Sequence, residues 1–268
     1  MSIPGLGDLD DLFQGAQDDG LTEDTLDLVV SNLNGPTMTQ TVGVGLDDIA
    51  SSEVTLAMNI IDMSGSMTPH AQNLMRAYND DYLTAMRSSP VADDILVSTI
   101  LFDDMVELLH GYVSLDDAQV LTPAVYKPRG ATAMYDAIAN GVTNMVLYAQ
   151  QLRQSGIAVR CIVLIYTDGD DNSSKQRAKD IKRTVEELYK QEIYTFALIG
   201  FTTAGQRPLG FNAQKNDPVR RWADSMGIRE AMTAGLTPQE LRQIFRMASM
   251  STVQVSQGRP LQTAVFQP

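Results

Sequence analysis

The chain has 268 residues, 44% of them hydrophobic, one cysteine and a net charge of −13. That length and apolar content suit one large α/β domain with an appended segment, and they exclude global disorder. The lone thiol, Cys161, has no partner for a disulfide, which excludes a disulfide-stapled scaffold and points to an intracellular setting. The first residues lack the basic start and apolar core of a signal peptide, and the longest clean apolar stretches are strand-sized, so the expected location is cytoplasmic.

Charge is unevenly placed. Residues 1–50 carry ten acidic groups and no basic one, whereas residues 151–268 carry 11 acidic against 16 basic groups. Such asymmetry favours acidic-to-basic docking within or between chains and argues against nucleic-acid binding.

In chain order, residues 1–50 are rich in Gly and Asp, with short apolar islands around Leu12 and Val29. Low hydrophobicity with one-signed charge predicts a flexible segment that orders on binding. From about residue 52, strands and helices alternate. Val54–Ile61 is a near-continuous apolar run, as expected of a central parallel strand covered on both faces. Residues 70–88 place Leu74, Tyr78, Tyr82 and Met86 at helical spacing, with Pro69 near the start, where a helix tolerates it. Ile95–Phe102 reads as a strand, and Met105–Val113 as its hairpin partner. Met134–Leu152 is predicted as a long amphipathic helix ending at Gly156. Cys161–Tyr166 is a buried strand, Ser174–Gln191 a helix, Ile193–Phe201 a strand, Pro218–Met226 a helix and Ile228–Thr233 a short edge strand. Thr237 and Glu240 have capping-box spacing, opening a final helix through about Ser251.

This alternation predicts a doubly wound α/β fold: a mostly parallel central sheet, one antiparallel edge strand and helices on both faces. The expected organisation is an acidic, flexible segment at 1–50, the α/β domain at 51–258 and a flexible tail at 259–268. Ligands of such sheets sit at the carboxyl ends of the strands. Asp62, Ser64 and Ser66 follow one strand, Asp168 follows another, and Thr132 lies in a loop on the same rim. Two carboxylates and three hydroxyls suit a hard divalent cation that keeps water and an open position. A carboxylate from another protein fills such a position, adding charge and an oxygen ligand together.

The pattern Asp62-x-Ser64-x-Ser66, then Thr132, then Asp168 resembles the metal-ion-dependent adhesion site of von Willebrand factor A-type domains. The resemblance covers about residues 52–258, with Ala131 where many relatives have Gly. It implies direct metal contacts from Ser64 and Ser66, with Thr132 and Asp168 exchanging direct and water-mediated roles. It also implies Mg²⁺, or Mn²⁺ or Ca²⁺, as cofactor and a partner protein supplying Asp or Glu. Among bacterial members the chain is most similar to small cytoplasmic proteins of tellurium-resistance and stress gene clusters.

An enzyme is the main rival, as a metal-dependent hydrolase or phosphatase. An aspartyl phosphatase would want Asp at position 64, and a serine hydrolase would want Gly-x-Ser-x-Gly at its elbow. His70, four residues after Ser66, could approach the site as a base, but its expected place in the first turn of a helix favours a surface role. The chain is therefore read as a non-catalytic binding module. Lys175, Lys179, Lys182 and Arg183 form a basic helix face, either solvated or a dock for an acidic segment. The acidic N-terminus is a candidate to occupy the metal site or that face, in the same chain or in a homo-oligomer. Asp170 and Asp171 read as solvated loop charges.

Overall fold

The computed structural model describes residues 6–39, 42–202, 210–211 and 217–259. β1 (Glu53–Asp62) is buried along nine of its ten residues, as a strand with helices on both sides must be. Its side chains alternate between two cores. Leu56, Met58 and Ile60 enter one, while Ala57 and Ile61 enter the other.

β1 pairs in parallel with β2 (Ile95–Phe102), which turns into the antiparallel edge strand β3 (Val106–Ser114). On its other side β1 pairs in parallel with β4 (Ala158–Thr167), followed by β5 (Tyr194–Thr202). The two-residue β6 (Gly210–Phe211) and β7 (Glu230–Gly235) complete a seven-stranded sheet of order β3-β2-β1-β4-β5-β7-β6. The expected mostly parallel sheet with an antiparallel edge is thus present. One detail differs: β7 lies between β5 and β6 rather than at the edge.

The acidic N-terminal segment departs furthest from expectation. It was expected to be flexible, yet it folds into α1 (Leu9–Asp18) and α2 (Glu23–Asn32). Leu12, Ala16, Leu26 and Val29 are buried in the first core. Asp8 caps α1 by accepting from the N–H of Asp10. The segment then crosses to the sheet edge, where Tyr112 N donates to Val42 O at 2.7 Å and Val44 N to Tyr112 O at 2.9 Å. Gly43 is needed there, because a Cβ would lie 2.3 Å from the Tyr148 ring. Low average hydrophobicity concealed this packing, since the few apolar residues are concentrated on one side of each helix.

α3 (Ala71–Arg76) continues through a π-helical stretch, Ala77–Leu83, into α4 (Thr84–Arg87). Tyr78 and Tyr82 project from it onto Phe245 in the second core. α5 (Met134–Gln154) is the long helix expected there, and 16 of its 21 residues are buried. One side packs on the sheet and the other lies under α1 and α2, so that polar residues such as Asn140 and Asn144 are buried along with the apolar ones.

α6 (Ala178–Leu188) starts four residues later than predicted. α7 (Pro218–Ser225) follows, and α8 (Pro238–Ser256) carries the predicted capping box, with Thr237 N donating to Glu240 Oε2 at 3.2 Å. α8 runs five residues past its predicted end. The tail expectation at 260–268 lies outside the described residues. No helix among the described residues is long and apolar enough to cross a membrane.

Candidate metal centre

β1 ends at Asp62, which is fully buried. Three donors hold it: Ser64 N to Oδ1 at 2.7 Å, Thr167 Oγ1 to Oδ2 at 2.6 Å, and Tyr126 OH to the main-chain oxygen at 2.6 Å. The carboxylate is therefore fixed before any ligand arrives. After Met63 the chain stays extended at Ser64 and then turns tightly through Gly65–His70. This turn brings Ser64 Oγ within 3.1 Å of Ser66 Oγ. Ser66 in turn donates to Asp168 Oδ1 at 2.7 Å.

Asp168 stands one residue beyond β4, and Ile61 is in register with Tyr166, so Asp62 and Asp168 share one rim of the sheet. Thr132 is buried and approaches from the loop ahead of α5. Its N–H donates to Asn172 Oδ1 at 2.9 Å, and its carbonyl accepts from Asn172 N at 3.0 Å. A Cβ at Gly169 would lie 3.8 Å from Thr132 Oγ1, so the threonine hydroxyl borders the Asp168–Gly169 turn. All five predicted residues thus face one place.

Burial pushes the Asp62 carboxyl above the ordinary carboxylate range, against hydrogen bonds from Ser64 and Thr167 that pull it down. Burial also raises Asp168, against the bond from Ser66 and the nearby His70. Two carboxylates whose charged forms are disfavoured by burial, beside three hydroxyls, fit a hard divalent cation, which offsets that cost. Among the described residues no group of three or more His, Cys, Asp or Glu could hold a metal. This oxygen set, only two of whose members are acidic, is of another kind.

The basic face is not one unit. Lys175 precedes α6 in an exposed loop, and its N–H donates to the Asp136 carboxylate. Lys179 is exposed, and Lys182 lies 3.8 Å from Glu186. Arg183 pairs with Asp24 of α2 and with Asp180. Arg153 pairs with Asp19 at 2.7 Å. The acidic segment therefore meets basic residues of its own chain, at Arg153 and Arg183.

Several residues around the centre escaped the sequence reading. Asp171, read as a solvated charge, accepts from Tyr135 N at 3.0 Å and from Ser174 N at 3.2 Å. Ser174 Oγ accepts from Asp136 N at 3.0 Å. These two side chains serve the first turn of α5, whose own preceding residue, Ala133, has no side chain to cap it. That engagement also holds residues 171–176 out of helix and explains the late start of α6. Asn172 and Thr167 were missed as well. The signal for Thr167 was its place between the apolar run of β4 and Asp168; nothing local marked Asn172.

The fold and rim define a doubly wound α/β protein with side-chain oxygens gathered at the carboxyl ends of its strands. Residues 58–230 match the family model described as von Willebrand factor type A domain, and the chain belongs to that family. No curated protein matches the chain. In fold it is similar to the PilB minor pilin from Streptococcus sanguinis, with 14% identity and a TM-score of 0.50 over 82% of this chain and 65% of that one. It also aligns with mussel byssus proximal thread matrix protein 1 with a zinc-occupied MIDAS motif, at 14% identity and a TM-score of 0.48. That alignment covers 76% of this chain and 46% of the byssus protein. Manganese-loaded TRAP protein from Plasmodium vivax aligns at 20% identity and a TM-score of 0.44, over 73% of this chain and 74% of that one. The chain spans less than two thirds of the length of the pilin and byssus proteins. At these identities the likeness is one of fold.

Proposed function

We propose that the chain is a protein-binding module in which a divalent cation, held by Ser64, Ser66, Thr132, Asp168 and, through water, Asp62, captures a carboxylate of a partner protein. The observation that carries this reading is the bonded series Asp62–Ser64–Ser66–Asp168, drawn from two adjacent strand ends and bordered by Thr132. Its neutral hydroxyls leave the ion short of charge, and an incoming Asp or Glu supplies it. Mg²⁺ suits this donor set best, and Mn²⁺ and Ca²⁺ share its preference for oxygen. Among the described residues neither serine is bonded to a histidine, and the carboxylate that Ser66 does bond, Asp168, is one the cation would itself engage, which favours docking over hydrolysis.

The proposed setting is the cytoplasm, with the module acting as a scaffold in a stress-response or tellurium-resistance-type system. α1 and α2 act as a cover for the domain, and Asp19 and Asp24 are already paired within the chain. An intermolecular role for the acidic segment therefore rests on its remaining carboxylates.

The test is a pull-down from native lysate with the wild-type chain in Mg²⁺, in EDTA and with Asp62→Ala. Partners retained only by the wild type in Mg²⁺ support the reading. The same partners at the same yield in all three arms would refute it. A phosphatase and esterase screen with the same control addresses the hydrolase alternative.

A further inference from the structure

The segment carrying Thr132 is gripped at both ends by one residue. Asp103 stands just after β2, at the tip of the β2–β3 hairpin, and is fully buried. Its Oδ2 accepts from Arg129 Nε at 2.7 Å, three residues before Thr132. Its main-chain oxygen accepts from Ala133 N at 2.7 Å, one residue after Thr132. The other carboxylate oxygen, Oδ1, accepts from Met105 N at 2.7 Å and so locks the hairpin tip.

Between the two grips the segment is pressed onto the serine turn. Arg129 N donates to Met63 O at 2.9 Å, and Gly65 N to Gly130 O at 3.3 Å. Gly130 takes a φ of +64, and a Cβ there would lie 2.1 Å from Asp104 Oδ1, so glycine is required. Phe102 is in register with Asp62, which puts the hairpin tip on the same rim as the proposed centre. Arg129 also reaches Glu107 on β3, its NH2 nitrogen lying 2.8 Å from Oε1. The guanidinium fork therefore ties the loop to two points on one hairpin, which a lysine cannot do in the same way.

We infer that Asp103 and Arg129 are positioning residues for the metal centre, setting where the Thr132 hydroxyl stands relative to Ser64, Ser66 and Asp168. This rests on the metal reading above. A buried carboxylate is expensive unless paired, and here the pair holds the loop of a ligand as well as the hairpin. The sign of the effect separates this role from simple electrostatics. Arg129 is a cation beside a cation site, so by charge alone its removal tightens metal binding. A positioning role weakens it.

The experiment is a double-mutant cycle on the full chain, with Mg²⁺ and then Mn²⁺ titrated calorimetrically into wild type, Arg129→Gln, Thr132→Ala and the double variant. We expect Arg129→Gln to weaken binding about tenfold, the low end for an outer partner of a metal ligand. Its effect should largely vanish in the Thr132→Ala background, because the residue it positions is gone. If Arg129→Gln fails to fold, Arg129→Lys keeps a charge for Asp103 without the fork and completes the same cycle. Unchanged or tighter binding, or a loss that adds fully to that of Thr132→Ala, overturns the inference. A wild type that binds neither ion overturns the metal reading itself.

Discussion

Ser66 donates its hydroxyl to Asp168 across 2.7 Å, although 102 residues separate them. The bond exists because β1 and β4 are neighbours and both end on the same rim. It holds two oxygens at close to the spacing of adjacent ligands on an octahedral cation, which lie about 3 Å apart when each is about 2.1 Å from the ion. Ser66→Ala and Asp168→Ala should each weaken Mg²⁺ binding by at least tenfold, as loss of even an outer partner does. Calorimetric titration would measure this, with unchanged far-UV circular dichroism as the control. Wild-type affinity in either variant would remove that residue from the centre.

The N-terminal helices should be indispensable to the fold. Leu12 and Val29 are buried against the core that includes α5. Removing residues 1–50 would uncover the core residues that Leu12 and Val29 cover and leave Asn140 of α5, bonded to Asn32 and Thr37, without those partners. The truncated chain is expected to aggregate or lose cooperative unfolding, read by light scattering and thermal denaturation. Leu12→Ala should cost about 2–4 kcal/mol in chemical denaturation. A monomeric, cooperatively folding truncation would show that α1 and α2 are dispensable.

Asp171 should matter to stability although it lies on a loop. Its carboxylate accepts from Tyr135 N and holds Ser174, which in turn accepts from Asp136 N. Asp171→Ala leaves donors of the first turn of α5 unmet and should destabilise the protein by about 1–2 kcal/mol, as loss of an N-cap does. Urea denaturation of the two proteins gives the comparison. A difference near zero would return Asp171 to the status of a solvated charge.

His110 introduces a pH dependence. It is buried on β3, with Nδ1 2.9 Å from Gly111 O. Burial holds its pKa below the ordinary value of about 6.5, with the backbone contacts opposing. The unfolded chain therefore takes up this proton at higher pH than the folded one. The stability associated with neutral His110 is fully present above about pH 6.5 and is lost as pH falls through the lower folded value. Unfolding free energies from pH 7.5 down to 5 should fall more steeply for the wild type than for His110→Gln. Parallel curves would exclude His110 as a source of acid sensitivity.

What could be read locally was read well. The apolar run of β1, the helical spacing of Leu74, Tyr78, Tyr82 and Met86, and the Thr237–Glu240 box all lie within a few residues of one another. Their signals are backbone period and capping chemistry, which need no knowledge of the rest of the chain. Asp62, Ser64 and Ser66 are candidates proposed from the same kind of local spacing. Thr132 and Asp168 became legible only because parallel strands bring their following loops to one rim.

The misses share a cause as well. Asp103 and Asp171 sit in acidic, polar turns that look like solvated loops. Their roles come from Arg129, Ala133 and Tyr135, which are 26 or more residues away and reach them only through packing. The N-terminal helices follow the same logic. Their small apolar faces are too weak to predict order alone, and they gain it by covering α5, most of whose residues are buried.

The amino-acid sequence by itself determined the alternation of strands and helices and the identity of five candidate oxygen ligands. Both are written in spacing along the chain. Only the tertiary structure decided that the acidic segment is part of the core and that Asp103 grips the threonine loop. Those outcomes depend on which surfaces remain to be buried, and on which charges to be paired, once the sheet has formed.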